Sequence, residues 1–371
     1  MALRIPDDLL PSDGRFGSGP SKVPAGRLDA LAVTGMDLMG TSHRQAPVKH
    51  VVRRVVDGLD ALFSLPSGYE VAIGNGGSAA FWDLATFALV ERRSQHAVFG
   101  EFGAKFASAA RNAPWLGEPT VLTAEPGGLA LPVAEDDVDA YAWTHNETST
   151  GVVAPVVRPA GARADQLVLV DATSAAGGLG VDISETDVYY FAPQKSFASD
   201  GGLWLTTLSP AAVERAERIA ASERHIPAFF DLVGALKSTR LDQTYNTPAV
   251  ATLFLMAEQL DWMLGQGGLD AMAARTAASA EHVYGWAEKA SYAAPFVPDP
   301  SHRSPVVATV ELDASIDKAR LMDELRANGI VDLDAYRGVG ANQLRIAMYP
   351  AVDPADVEAL THCIDWVVER L

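Results

Sequence analysis

The sequence predicts an α/β protein in which a large unit built on a mostly parallel sheet carries a smaller C-terminal α/β unit. Three observations support this. At 371 residues the chain is long for one domain and comfortable for two. Short apolar runs that end in polar residues alternate with helical patterns, as in buried parallel strands with function at their carboxyl ends. After about residue 262 the pattern changes, and a long Ala-rich helical stretch opens a short strand–helix–strand–helix series. The expected large unit is therefore 16–262, and the small one is 263–371 together with segment 1–15.

Each element has its own signal. Val48, Val51, Val52, Val55, Leu59, Leu62 and Phe63 recur at helical spacing, so 47–63 reads as a helix. Tyr69–Asn75 reads as a short strand, Ser78–Glu91 as a helix and His96–Gly100 as a strand. Val138–Thr144, Leu167–Asp171 and Val188–Phe191 are β-branched or aromatic runs with polar residues at or after their ends. Beyond the change of pattern come a helix over about 268–290, strand Val306–Leu312, helix Asp317–Asn328, strand Leu344–Tyr349 and a terminal helix from Asp356 to Leu371. Ala294–Pro305, rich in Pro, Ser and Asp, reads as a surface loop.

Composition narrows the function. A hydrophobic fraction of 48% with 20% charged residues belongs to a folded globular chain and excludes a disordered or fibrous one. The formal charge of −18 argues against nucleic-acid partners, because phosphate would be repelled by most of the surface. A few gathered arginines still leave room for a small anionic ligand. The single cysteine, Cys363, permits no internal disulfide and no Cys/His cluster, so no metal site is expected. The N-terminal stretch is acidic and broken by prolines, unlike a secretory signal. No apolar run reaches the ~18 residues of a membrane helix, so a soluble cytoplasmic protein is expected.

Candidate chemistry concentrates between residues 168 and 205. Asp171 ends an apolar strand, and Lys195 follows the next strand and a polar turn, leading into Gly201-Gly202. Taken singly, the first reads as a turn residue and the second as a solvated loop lysine. Together they match what pyridoxal-phosphate chemistry requires: an amine that condenses with an aldehyde and later moves a proton, and a carboxylate that keeps a ring nitrogen protonated. Gly74-Asn75-Gly76-Gly77-Ser78 lies between a strand and a helix, where backbone amides can approach a phosphate, or where glycines merely punctuate. Thr144 to Thr148 closes another strand, suited to a cofactor oxygen or to capping. His145 reads as a packed or surface histidine. Phe102 suits either a flat ring or the core. Arg44, Arg337 and Arg345 read singly as surface residues and, if gathered, as clamps for carboxylate and phosphate.

These residues fall in segments that resemble the phosphoserine aminotransferase family, fold-type-I pyridoxal-phosphate enzymes of class V. The segments are FGSGPSKVP at 16–24, GTSHRQ at 40–45, GNGGSAAFW at 74–82, HNETSTG at 145–151, VDATSAAGG at 170–178, FAPQKSFASDGG at 191–202, QTYNTP at 243–248 and NQLRIAMYP at 342–350. The resemblance covers nearly the whole chain. It implies the fold-type-I fold, pyridoxal 5'-phosphate held as a Schiff base on Lys195, and Asp171 facing the pyridine nitrogen. Thr148 would bond the phenolic oxygen and Phe102 stack on the ring. Gly77, Ser78 and Gln194 would hold the phosphate, with Asn246 and Thr247 of the other subunit of a homodimer. Arg345 would take the substrate α-carboxylate with Ser18 nearby. His43 and Arg44, crossing the dimer interface, would meet the distal anion with Arg337.

Two departures bear on the distal anion. Many family members have an arginine where Ser78 stands and a tryptophan where Phe102 stands, and many have His-Arg where this chain has Tyr336-Arg337. The implied reaction is amino transfer between L-glutamate and 3-phosphohydroxypyruvate, giving 2-oxoglutarate and O-phospho-L-serine, with a related step of vitamin B6 synthesis also compatible. The alternatives are another class V aminotransferase and a non-catalytic binding protein of the same fold. A desulfurase is disfavoured because Cys363 lies in the terminal helix rather than on a mobile loop.

Overall fold

The computed structural model describes residues 3–337 and 342–371. Seven strands make the main sheet. The first four are β1 (Glu70–Gly76), β2 (Ser94–Val98), β3 (Thr120–Thr123) and β4 (Ala140–Thr144). A two-stranded ribbon comes next, β5 (Asn146–Glu147) and β6 (Val152–Val153), and then β7 (Leu167–Asp171), β8 (Val188–Phe191) and β9 (Gly202–Leu208). The order is β1-β9-β8-β7-β4-β2-β3. Strand β9 runs antiparallel to both neighbours, and the pairs from β8 outward to β3 are parallel. Strands β1, β4, β7 and β8 therefore deliver their carboxyl ends to one edge of the sheet. There Thr144 is paired with Asp171, and Asp171 with Tyr190.

Helices cover both faces. The helices of the large region are α1 (Ala25–Leu38), α2 (Ala46–Phe63), α3 (Ser78–Ala88), α4 (Glu101–Asn112), α5 (Pro210–Ala220), α6 (Leu232–Thr239) and α7 (Val250–Gly265). Alternate residues of β7 enter opposite cores. Val168 and Val170 pack in the core shared with α2 and α7, whereas Leu167 and Leu169 pack with α3, α5 and α6. This is why the strand reads as a continuous apolar run rather than an alternating one. The valine–leucine stripe of α2 is buried as its spacing predicts. Each fully buried side chain in it contributes about 1.5–3 kcal/mol relative to exposure.

A third core combines α8 (Gly268–Lys289), β10 (Ala293–Pro295), β11 (Val307–Leu312), α9 (Lys318–Ala327), β12 (Gln343–Ala347) and α10 (Pro354–Val368). The three strands form an antiparallel sheet in the order β10-β11-β12. Ile5 and Phe16, both fully buried, belong to this core. The N-terminal segment is tied down there by Ser12, whose N–H and hydroxyl both donate to Asp356 at 2.7 Å, and by a β-bridge from Arg15 to Val331.

Several boundaries differ from the sequence expectation, with local causes. Helix α3 stops at Ala88, not Glu91, because the Asp139 carboxylate captures the amides of Glu91, Arg92 and Arg93 at 2.7–3.1 Å. Strand β2 ends at Val98 because Gly100 is already the N-cap of α4, a helix the periodicity does not reveal. Strand β9 is likewise hidden in the sequence pattern. No helix among the described residues is long and apolar enough to cross a membrane.

Candidate active site

A cavity of about 490 Å³ opens at the carboxyl edge of the main sheet. It collects Ser18 from the N-terminal segment, Gly77 and Ser78 at the start of α3, and Phe102 at the start of α4. Thr144, Asn146 and Thr148 come from the chain around β4 and β5, and Asp171 from β7. Gln194 and Lys195 enter from the turn after β8, and Arg345 from β12. All of these except Thr144 and Asn146 are residues to which the family resemblance gives a role, and they line one space.

Lys195 is buried, and its Nζ donates to Thr148 Oγ1 at 2.8 Å. Burial pushes its amine down to about 8. The negative charges of Asp171 and Glu147 oppose this, and the Arg345 guanidinium reinforces it. The Nζ stands 5.2 Å from the Phe102 ring centroid. A Cβ on Gly19 would come within 2.9 Å of Lys195 Cε, so glycine there leaves the lysine side chain room.

Asp171 occupies another corner, and its carboxylate is firmly held. Oδ1 accepts from the Thr173 N–H at 3.0 Å and the Thr173 hydroxyl at 2.6 Å, and Oδ2 accepts from Trp82 Nε1 at 3.1 Å. Phe102 is placed by Glu147, which is fully buried. Its Oε2 accepts from the amides of Phe102 and Gly103 at 3.1 Å, and its Oε1 from Ser149. Burial raises the carboxyl pKa of Glu147, and these bonds to Ser149, Gly103 and Phe102 oppose the rise.

At the third corner, α3 begins at Gly77 with no side-chain cap on its first amides and no acidic residue in its first turn. Unclaimed amides at a helix N-terminus favour an anion. Gly76 has φ +129°, and a Cβ there would stand 2.7 Å from Ala80 Cβ, so the turn into the helix requires glycine. At the fourth, Arg345 Nη1 reaches the Thr148 carbonyl at 3.4 Å, its guanidinium lies 5.4 Å from the Tyr336 ring, and its Nε is buried with no partner among the described residues. The hydroxyls of Ser18 and Thr144, Asn146 Oδ1 and Gln194 Oε1 are also buried around this space with no partner among those residues. Such groups are costly unless a ligand completes them. The set fits a flat ligand with an anion toward α3, a basic ring nitrogen toward Asp171 and an electrophilic carbon within reach of Lys195.

Four residues that the resemblance assigns to the shared part of the site lie together elsewhere on the chain, outside the cavity lining. His43 Nδ1 is 3.3 Å from Thr247 Oγ1, and the Asn75 amide donates to the Thr247 carbonyl at 3.1 Å. Arg44 neighbours His43 and is exposed, while Asn246 lines a separate small cavity. Arg337 is exposed beside Tyr336 and also lies outside the lining. His145 packs away from the site against the Tyr189 hydroxyl at 3.0 Å, and burial lowers its pKa to about 4. The sequence does not single out Trp82, Thr173, Glu147 or Lys105. Lys105 Nζ donates to the Tyr336 hydroxyl at 2.6 Å at the rim. Only Thr173 carries a signal, an Asp-x-Thr pair that makes a local side-chain turn.

Fold, lysine and carboxylate together define a pyridoxal-phosphate-dependent aminotransferase. Residues 131–360 match the family described as aminotransferase class-V. Over 371 residues the chain is 66% identical to a phosphoserine aminotransferase of Nocardioides sp., covering 100% of this chain and 99% of that protein. Its fold is that of a phosphoserine aminotransferase from Cytophaga hutchinsonii, with a TM-score of 0.87 at 24% identity over 95% of this chain and 99% of that one. A phosphoserine aminotransferase from Bacillus circulans subsp. alkalophilus gives 0.84 at 22% identity over 96% and 99%. The chain belongs to the class-V aminotransferases and, within them, to the phosphoserine aminotransferase family.

Proposed function

We propose that the chain transfers the amino group between L-glutamate and 3-phosphohydroxypyruvate, giving O-phospho-L-serine and 2-oxoglutarate, as a cytoplasmic homodimer in serine biosynthesis. A second use is the 4-phosphohydroxy-L-threonine step of vitamin B6 synthesis. The observation that carries the reading is the buried Lys195 amine in one cavity with the Asp171 carboxylate and a guanidinium, Arg345, that still has an unpartnered donor.

Pyridoxal phosphate, when bound, supplies an aldehyde that captures the amino group and a protonated ring that accepts electrons. Gly77, Ser78 and Gln194 hold its phosphate with the first amides of α3, and Asp171 keeps its ring nitrogen protonated. Phe102 closes one face, and Thr148 serves the phenolic oxygen. Lys195 would take the proton from the substrate Cα. An amine brought down to about 8 is neutral in a useful fraction near neutral pH and so can act as this base. Arg345, with Ser18, orients the α-carboxylate that both substrates share.

Borohydride reduction of the purified holoenzyme, followed by peptide mass spectrometry, is expected to place the pyridoxyl group on Lys195. A label on another lysine ends the assignment.

The meeting of His43 with Thr247 supports a shared site, since two segments distant in sequence would then be presented together to the partner's cavity, with Arg44 and Asn246. Lys195→Ala and Arg44→Ala dimers are then each nearly inactive. After mixing by mild denaturation and refolding, each heterodimer has one site with both lesions and one with neither. Random mixing makes about half the dimers heterodimers, so roughly a quarter of wild-type activity returns. Heterodimers seen by native mass spectrometry without recovered activity would show that Arg44 serves its own subunit.

A further inference from the structure

Trp82 lines the cavity four residues after Ser78, one turn further along α3. We infer that Trp82 is a positioning residue that selects the oxygen of Asp171 offered to the cofactor's ring nitrogen and keeps the shared proton on that nitrogen. This rests on the reading of Asp171 given above and adds a residue to it.

The acceptor sites of the carboxylate are nearly all taken. An ionised carboxylate offers about four. Thr173 fills two on Oδ1, through its backbone N–H and its hydroxyl, and the Trp82 indole fills one on Oδ2. The open site is on Oδ2, beside the indole. An indole N–H only donates, so a proton resting on Oδ2 would weaken this arrangement, whereas a proton on the ring nitrogen completes it. Three donors on Asp171 therefore leave the shared proton with the nitrogen, where it is needed for the ring to accept electrons.

The other groups facing Asp171 do not take over this role. From β8 come the hydroxyls of Tyr189 and Tyr190, buried and kept un-ionised. Tyr189 is turned to His145. The Tyr190 hydroxyl sits near the Asp171 carboxylate, whose charge and side-chain contact add to burial in raising its pKa, but it makes no hydrogen bond of good geometry among the described residues. His96 of β2 lines a small void behind Asp171 and is held neutral, its pKa lowered by burial to about 3. Lys195 bonds Thr148 instead. Helix α3 thus presents its first turn to the phosphate and its second to the carboxylate. The two ends of the cofactor site are spaced by one turn of a single rigid element, about 5.4 Å along its axis.

The test uses holoenzyme reconstituted with pyridoxal phosphate labelled with nitrogen-15 in the ring. In the wild type the ring-nitrogen resonance should sit at the protonated position. In Trp82→Phe, which keeps an aromatic ring and loses the N–H, it should move toward the unprotonated position. The glutamate half-reaction should slow about tenfold, the worth of one hydrogen bond to a charged group, with the cofactor retained. Thr173→Val, which keeps the backbone donor, should move the resonance the same way, and it decides the matter if Trp82→Phe does not fold. Wild-type resonance positions in these variants overturn the inference, even if the half-reaction slows. A wild-type nitrogen that is itself unprotonated overturns the reading of Asp171, and this inference with it. A wild type that does not react with glutamate but shows the nitrogen shifts as expected overturns only the substrate assignment.

Discussion

Asp171→Asn is expected to keep the cofactor bound and to slow the glutamate half-reaction about a thousandfold, equivalent to about 4 kcal/mol. The substitution is nearly isosteric, and the amide oxygen can still accept both bonds from Thr173. The amide nitrogen then turns toward Trp82 Nε1, so two donors face each other where donor and acceptor now meet at 3.1 Å. A neutral amide cannot hold a pyridine nitrogen protonated, and the ring loses its capacity to take up the electrons released at the substrate Cα. Stopped-flow absorbance at saturating glutamate measures the step, and cofactor content is read from the same spectra. A rate near wild type with full cofactor would mean that another group protonates the ring.

Arg345→Ala should weaken glutamate and O-phosphoserine alike, by about 2–5 kcal/mol, because both present an α-carboxylate to the same guanidinium. Part of that loss is the stranded carboxylate rather than the worth of the pair itself. The side chain is preset for this contact by Thr148 and Tyr336, which fix two of its sides, while Nε is buried with no partner among the described residues. Arg345→Lys should recover only part of the affinity, since an ammonium cannot reproduce the planar fork. Arg337→Ala should leave the half-reaction with L-alanine, which lacks a distal anion, within about twofold, and should impair phosphoserine by on the order of tenfold. Equal losses for alanine and phosphoserine in Arg337→Ala would show that this division of roles is wrong. Single-turnover rates against substrate concentration separate the cases.

Much of the site is legible because its residues sit at the ends of strands that declare themselves. Leu167–Asp171 and Val188–Phe191 are apolar runs with a clear end, and both strands have the bounds that the pattern predicts. Asp171 closes the first run and Lys195 comes a short turn after the second, so the pattern alone puts both at the sheet edge. Strand β9 is not legible, although Leu203, Leu205 and the residue between them are buried. Nothing in a short apolar run tells its direction, and the reversal at Gly201-Gly202 is a tertiary choice. The partners of the cavity-lining groups are hidden for a different reason. Trp82 meets Asp171 across 89 positions, Glu147 meets Phe102 across 45, and Lys105 meets Tyr336 across 231. In the sequence, Trp82 reads only as one more apolar residue of a helix. Its hydrogen bond exists because α3 packs over the end of β7, a fact of packing rather than of periodicity. The expected helix over Ser78–Glu91 overruns for a related reason, since the residue that ends it, Asp139, lies far along the chain.

During synthesis the N-terminal segment must wait for its partners. Ser12 is bonded to Asp356 across 344 positions, and the Leu9 carbonyl receives the Cys363 thiol across 354. At ribosomal speeds of about 5–20 residues per second, residue 12 waits roughly 17–70 s for its partner to be made. Ile5 and Phe16 are apolar and fully buried in the finished fold, so for most of that interval, until α8 and the elements after it emerge, they are exposed with nothing of their own core yet available. Ser18 and Arg345, both in the cavity lining, come together only after the same late stretch is made. The nascent chain can thus lay down the central sheet and the turn bearing Lys195 well before it can clasp a carboxylate. Chaperones acting on this protein during synthesis are expected to engage its first sixteen residues and release them only when α10 has emerged.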